Sequence, residues 1–299
     1  MDIIRPGTQI DFMKYRKAAF ALSAALIIIS IAALFVRGLN YGTDFTGGTE
    51  IQVAFSKTVK TDEVRSAIDP IGLAGAAIQS IGEDRDNEFL IRTPAEGDTG
   101  GEAAQQIEGA LKSTFGEETV DIRRVDVVGA AVSRDLKQKG FLSLFYAGIG
   151  LLIYISWRFK ISYSVAAILA LAHDVIITVG VFSITGREIS LPVIAALLTV
   201  VGYSLNDTII VFDRIRENIK KAAGSFDFPS LLDSSISQTL SRTLITSSTT
   251  LFVVLALFLF GGSVINNFAF AIMVGLIVGT YSSIFVASPI LMLFSRTKK

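Results

Sequence analysis

A carboxylate inside a long apolar run is where chemistry is to be sought first. Asp207 follows Asn206 within ISLPVIAALLTVVGYSLNDTIIVF, residues Ile189–Phe212. Carrying a carboxylate to the centre of a bilayer costs about 2.5–3.5 kcal/mol on insertion scales. Such a group persists where it is paired, protonated or beside water, and by default it marks an ion or proton path. Two further polar places lie in apolar surroundings. His173–Asp174 sits near the middle of Ile161–Thr185, and Arg242 opens a hydroxyl-rich stretch containing Thr243, Thr246, Ser247, Ser248, Thr249 and Thr250. An aspartate and an arginine that pair and part as a proton comes and goes make a workable switch. A fixed clamp between helices is the alternative for Asp207 and Arg242, and a local polar contact is the alternative for Asp174.

The composition removes other chemistries. The chain has no cysteine and one histidine, so thiolate sites, disulfides and a histidine metal cluster are excluded. Gly42–Thr49 (GTDFTGGT) is glycine-rich, but Thr49-Glu50 stands where a phosphate loop needs Lys-Ser/Thr, so it reads as a tight turn feeding a strand. No nucleotide site, metal site or other cofactor is expected. Work must then draw on an ion gradient or a partner. The formal net charge is zero, which gives no reason to expect nucleic-acid binding.

The elements that position these residues are membrane spans. Of 299 residues, 51% are hydrophobic, and mean hydropathy is +0.56. Six stretches are long enough to cross a bilayer: Ala18–Val36, Phe141–Trp157, Ile161–Thr185, Ile189–Phe212, Leu244–Phe260 and Phe268–Phe294. The first reads as an uncleaved anchor. Lysine and arginine gather before the first span (Arg5, Lys14, Arg16, Lys17), between the second and third (Arg158, Lys160), between the fourth and fifth (Arg214, Arg216, Lys220, Lys221, Arg242) and at the end (Arg296, Lys298, Lys299). The opposite short loops hold only Arg187 beside Glu188, and GGSVINN. Both termini are therefore expected in the cytoplasm, with residues 38–140 across the membrane.

Three regions follow: 1–37, the N-terminus and first span; 38–140, an extracytoplasmic domain; and 141–299, five spans with an amphipathic cytoplasmic segment at 214–243. In the middle region, Ile51–Phe55, Phe89–Thr93 and Val120–Val128 read as strands. Thr61–Ile68, capped by Thr61 or Asp62, and Glu102–Phe115 read as helices. The alternation predicts a small α+β domain of ferredoxin-like type, with Glu96–Gly101 as a turn or loop. After a cap at Asp227, Phe228, Leu231, Leu232, Ile236 and Leu240 recur at helical spacing. A helix on the membrane surface is the first reading of them, and a partner-docking face the second. Glycines and small residues in the last span (Gly275, Gly279, Ser282, Ser283, Ala287) predict close helix packing.

Four segments then carry a family resemblance: Gly38–Val53 (GLNYGTDFTGGTEIQV), Ala172–Gly186 (AHDVIITVGVFSITG), Val200–Asn218 (VVGYSLNDTIIVFDRIREN) and Thr239–Leu251 (TLSRTLITSSTTL). Together they resemble the SecD/SecF family of bacterial protein export, on the SecF side. The resemblance implies an α-helical polytopic inner-membrane protein, six helices forming half of a transporter of the RND superfamily, with a periplasmic domain between the first and second. It implies SecD as the other half, association with the SecYEG channel and with YajC and YidC, and use of the proton motive force on a translocating preprotein rather than enzymatic catalysis. It places the family's membrane carboxylate at Asp207 beside Asn206, its arginine at Arg242 and its His-Asp pair at His173–Asp174. The signature turn falls on Gly42, Asp44, Phe45, Gly47 and Gly48.

Other functions stay open at this point. An RND-type exporter of small molecules or lipids would share the carboxylates, but would need a dimer or partner to complete two halves. An intramembrane aspartyl protease could use Asp174 and Asp207, although Asp207 follows Ser-Leu-Asn rather than a Gly-x-Gly setting. A scaffold would use the polar residues only for packing.

Overall fold

In the computed structural model the described residues are 8–73, 76–81, 87–94, 102–222 and 226–295. The loop expected at Glu96–Gly101 and the charges Arg5, Arg296, Lys298 and Lys299 lie outside them. The chain divides into two compact units, Met1–Asn40 with Ser143–Lys299, and Tyr41–Leu142.

The smaller unit contains β1 (Gly48–Phe55), α2 (Thr61–Ile68), β2 (Ala77–Ile81), β3 (Glu88–Thr93), α3 (Glu102–Phe115) and β4 (Val120–Val128); α1 (Arg16–Val36) precedes it in the chain. The strands form one antiparallel sheet in the order β2-β3-β1-β4. This βαββαβ order and this strand arrangement are ferredoxin-like. Alternation puts Ile51, Val53 and Phe55 of β1 on the face that α2 and α3 cover with Val64, Ile68, Ile107 and Leu111, all buried in one core. Each such burial contributes about 1.5–3 kcal/mol.

Two local features differ from expectation. Strand β2 was not anticipated, because Ala77, Gln79 and Ser80 are exposed and only Ile78 packs on the core. It is an edge strand and shows no strict alternation of apolar residues. Helix α2 is capped at Lys60 rather than at Thr61 or Asp62. The Lys60 N–H donates to Glu63 Oε2 at 2.9 Å, so the acid in the first turn satisfies the free donor.

The glycine signature forms a one-turn helix, Thr43–Thr46, with Phe45 buried against Tyr41 at a ring separation of 6.1 Å. Gly47 and Gly48 follow with φ of 72° and 122°. A Cβ on Gly48 would sit 2.0 Å from the Thr93 carbonyl oxygen, so both the backbone angle and the approach of β3 require glycine there. Gly48→Ala is expected to destabilise this domain by ~2 kcal/mol or more, visible as a lower melting temperature of the full chain; an unchanged melt would contradict the geometry.

Among the described residues, six helices are long and apolar enough to cross a membrane. They are α1 (Arg16–Val36), α4 (Ala130–Arg158), α5 (Ile161–Thr185), α6 (Leu191–Lys221), α7 (Phe228–Phe260) and α8 (Gly262–Ser282); α8 continues through a π-helical turn, Ser283–Ala287, into α9 (Ser288–Ser295). Helices α5, α6 and α8 are the most buried. Large side chains on the others, such as Phe35, Trp157 and Phe260, stand exposed as lipid-facing residues do. Helix α4 begins at Ala130, well before the expected Phe141, because no breaker interrupts its polar first turns.

The apolar face of the segment expected to lie on the membrane surface packs on protein. Helix α7 is continuous from Phe228, capped by Asp227, which accepts from the Ser230 N–H at 3.2 Å. Its face of Leu231, Leu232, Ile236 and Leu240 is buried in a core shared with Phe12, Met13, Phe212 and Ile215. Asp233 adds a hydrogen bond from the Met13 N–H at 2.8 Å. That face is therefore occupied by the chain itself and is not free for lipid or a docking partner.

Close approaches fix the helix pairs. A Cβ on Gly180 of α5 would meet the Ser30 Cβ of α1 at 2.2 Å, and one on Gly275 of α8 would meet Val200 Cγ2 of α6 at 2.3 Å. Gly279 stands in the same relation to Ser204, at 3.0 Å.

Candidate intramembrane polar site

Helix α6 carries Ser204, Asp207 and Thr208 on one buried face. Three residues make nearly one turn, so Ser204 and Asp207 project along the same seam. Gly275 and Gly279 let α8 approach that seam closely and bring its hydroxyls within reach.

Two carboxylates result, each with its own partners. Asp207 is 4% exposed. Its Oδ2 accepts from Ser247 Oγ of α7 at 3.2 Å, and Ser247 in turn accepts from Thr280 Oγ1 of α8 at 3.0 Å. Hydroxyl partners are weaker compensation for a buried charge than a cation would be. Beside it, Thr208 and Ser283 hydrogen-bond at 3.0 Å, where Ser283 starts the π-helical turn. Such turns inside α-helices are frequent at functional sites.

Asp174 of α5 is 1% exposed and bonded on both oxygens. Oδ1 lies 2.9 Å from His173 Nδ1, and Oδ2 accepts from Ser204 Oγ at 2.5 Å and from Ser282 Oγ at 2.8 Å. His173 Nε2 lies 3.2 Å from Ser23 Oγ of α1, and its ring stacks on Tyr281. Asp174 and Asp207 do not bond each other and share no hydroxyl among the described residues. That arrangement does not form the shared-proton dyad of an aspartyl protease.

The expected set is thus only partly brought together. Asp207, Asp174 and His173 are buried on facing helices, whereas Arg242 and Asn206 are exposed on the outside of this chain. No direct ion pair joins Arg242 to Asp207 among the described residues, and Asp207 bonds the Ser247 hydroxyl instead. The pattern also left partners unidentified. Ser23 and Tyr281 gave no signal in apolar helices, and Ser282 and Ser283 read as small packing residues rather than donors. Ser247 and Thr280 differ in that respect: only Ser247 lay in the polar run already noted after Arg242.

On the side of the bundle away from Arg242, Arg187 donates to Asn266 Oδ1 at 2.6 Å and Asn267 Oδ1 at 2.9 Å, with its guanidinium 4.2 Å from the centre of the Phe270 ring. Burial holds the guanidinium pKa below its ordinary value. This clamp ties the α5–α6 connection to the start of α8. Arg187→Ala should loosen it and lower the melting temperature of the detergent-solubilised chain by a few degrees, while Arg187→Lys, which lacks the planar fork, should restore only part. No change with Arg187→Ala would show the clamp to be idle.

Comparison with known proteins gives the same direction. Residues 106–297 match the family described as "Protein export membrane protein SecD/SecF, C-terminal", and residues 32–59 match the "SecD/SecF GG Motif". The chain is 47% identical to the protein translocase subunit SecF of Desulfurispirillum indicum, covering 94% of this chain and 90% of that one. It is 48% identical to the SecF of Vibrio alginolyticus over 96% of this chain and 90% of that one. The crystal structure of SecDF, a translocon-associated membrane protein from Thermus thermophilus, superposes with a TM-score of 0.88 at 37% identity, covering 98% of this chain. This chain spans 40% of that one. With its six apolar helices, its glycine signature and its ferredoxin-like domain, the chain belongs to the SecF branch of the SecD/SecF family of protein-export membrane proteins.

Proposed function

We propose that this chain is an accessory subunit of the bacterial Sec protein translocase. It pairs with a SecD chain and uses the proton motive force to promote late steps of preprotein translocation on the periplasmic side of the inner membrane. The length relation supports a partner, since this chain accounts for 40% of a SecDF chain that holds both halves. The SecYEG channel, with YajC and YidC, is the assembly it serves.

The observation that carries the reading is Asp207, a carboxylate buried at a helix seam and held by the Ser247 hydroxyl, with no cation paired to it among the described residues. Asp207 is the proton-responsive group and Arg242 its counter-charge. Asn206, exposed on the same turn of α6, belongs to the same proton-coupling set. Asp174 and His173 form the neighbouring polar centre. One charge moved through 100 mV is worth about 2.3 kcal/mol, enough to bias a two-state element roughly fifty-fold.

Two experiments test the assignment. Purification of the tagged chain from native membranes should bring down a SecD chain and the channel; recovery of this chain alone would overturn the partnership. Cysteines placed at Ser80 and at Lys221, both exposed, should label from opposite sides of the membrane, with Ser80 on the periplasmic side. Labelling of both from one side would refute the orientation.

A further inference from the structure

We infer that a file of hydroxyls on α7, with Thr243 as its middle link, is the route by which a proton on Asp207 passes to the cytoplasmic end of the helices. The inference rests on the reading of Asp207 as the proton-responsive group and on the orientation given with it, and it adds the path. Ser235, Thr239, Thr243 and Ser247 recur at every fourth residue of α7. That spacing stacks them on one face of the helix. Ser235, Thr239 and Thr243 are buried.

The file is tied to α6 at both ends. At one end Ser247 Oγ donates to Asp207 Oδ2 at 3.2 Å. At the other, Asn218 Nδ2 donates to Ser235 Oγ at 2.9 Å and to Gln238 Oε1 at 3.2 Å, where Gln238 is exposed. Between the two ties lie about three turns of α7, or ~18 Å. Over the same stretch α6 buries Val211, Phe212 and Ile215, so the polar groups of this seam come from α7.

Thr243 differs from the other threonines of α7. Thr239, Thr246, Thr249 and Thr250 each donate to a carbonyl one turn back on their own helix. Thr243 is 2% exposed, and its Oγ1 meets no hydrogen-bonding group among the described residues. A buried hydroxyl left so is unfavourable, and water is the usual group to meet it. One turn from the donor to Asp207, α7 therefore holds a hydroxyl free both to give a proton and to take one.

Hydroxyls four residues apart on a helix have Cβ atoms about 5–6 Å from each other, so water spans the gaps between them. The Asp207 carboxyl gives its proton to Ser247, and each hydroxyl that hands a proton on receives one from the Asp207 side. Ser235 and Thr239 turn from the carbonyls of Leu231 and Ser235 to do this, whereas Thr243 has no such bond to break. The last acceptor is solvent beside Asn218 and Gln238. One proton has then moved, Asp207 is a carboxylate, and every hydroxyl is again a hydroxyl.

The full chain, with its SecD partner and the channel carrying an arrested preprotein, is reconstituted in liposomes that enclose a pH-sensitive dye. A pH step is imposed, and proton flux is read from the dye. Thr243→Val keeps the shape of the side chain and removes only the unpartnered hydroxyl. It should melt no lower than the unmutated chain and yet cut the flux at least tenfold. Thr243→Ser, which keeps the hydroxyl, should restore most of the flux. Asp207→Asn is measured beside them. Flux blocked by Asp207→Asn but unchanged by Thr243→Val would overturn the route and leave the reading of Asp207 standing. Equal losses in Thr243→Ser and Thr243→Val would also overturn the route, since the hydroxyl would then not matter. Unchanged flux in Asp207→Asn, or none in the unmutated complex, would overturn both.

Discussion

Asp207→Asn is expected to abolish the part of export that depends on the proton gradient while leaving assembly with SecD intact. Asparagine keeps the size of the side chain, and its oxygen can still accept from Ser247, which holds the carboxylate at 3.2 Å. Only the ability to gain and lose a charge disappears. The variant should behave as a permanently neutral form, without the bias of about 2.3 kcal/mol that one charge draws from 100 mV. Asp207→Glu should retain some activity. Arg242→Ala should resemble Asp207→Asn if the two charges couple when the helices move, and the double variant should then be little worse than either single one. Normal gradient-driven export by Asp207→Asn, in membranes where the complex has assembled, would reduce Asp207 to a packing residue.

Gly275→Leu should have the largest effect on stability. A Cβ there would lie 2.3 Å from Val200 Cγ2 and 2.5 Å from Val200 Cγ1, so even alanine cannot fit without moving α6 or α8. Overpacking of this kind costs about 1–3 kcal/mol for modest insertions, and leucine adds a branched side chain beyond the clash. The expected outcome is loss of most assembled complex from the membrane, with Gly275→Ala intermediate. Val200→Ala, which removes both colliding methyl groups, should restore much of the Gly275→Ala loss. Gly202→Ala on α6 is the control, since nothing lies within 4 Å of the added carbon. Equal yields of Gly275→Leu and Gly202→Ala would contradict the close α6–α8 contact.

Much of this architecture is legible in the residues, for reasons that differ from element to element. The membrane helices announce themselves because a bilayer demands about 20 apolar residues in succession, a signal stronger than any propensity. Asp207 and Asp174 are conspicuous for the same reason, as charges in that background. Strands β1 and β4 follow from alternation, with Ile51, Val53 and Phe55 turned inward. Strand β2 does not, because an edge strand over one apolar contact needs no repeating pattern. The start of α4 is hidden because Ala130–Gly140 is polar and helix-compatible, so hydropathy finds only where the span becomes apolar.

The site was legible in its acids and illegible in its donors. Serine and threonine are common in membrane helices as small packing residues, and nothing in Ser282 distinguishes it from Ser288 until the fold aims one of them at Asp174. The amphipathic start of α7 shows the opposite limit. Its apolar spacing is the same whether the face meets lipid or protein, and only the position of Phe12, Met13 and Ile215 decides that it is internal.

The most direct test of the central claim is late-stage translocation in sealed inner-membrane vesicles. A preprotein is carried part-way through the channel, and completion is then followed with the proton gradient imposed or collapsed, in the presence and in the absence of this chain. The account predicts that the gradient speeds completion only when this chain and its SecD partner are both present. A gradient effect of equal size without this chain, or no gradient effect when the complete assembly is there, would contradict it.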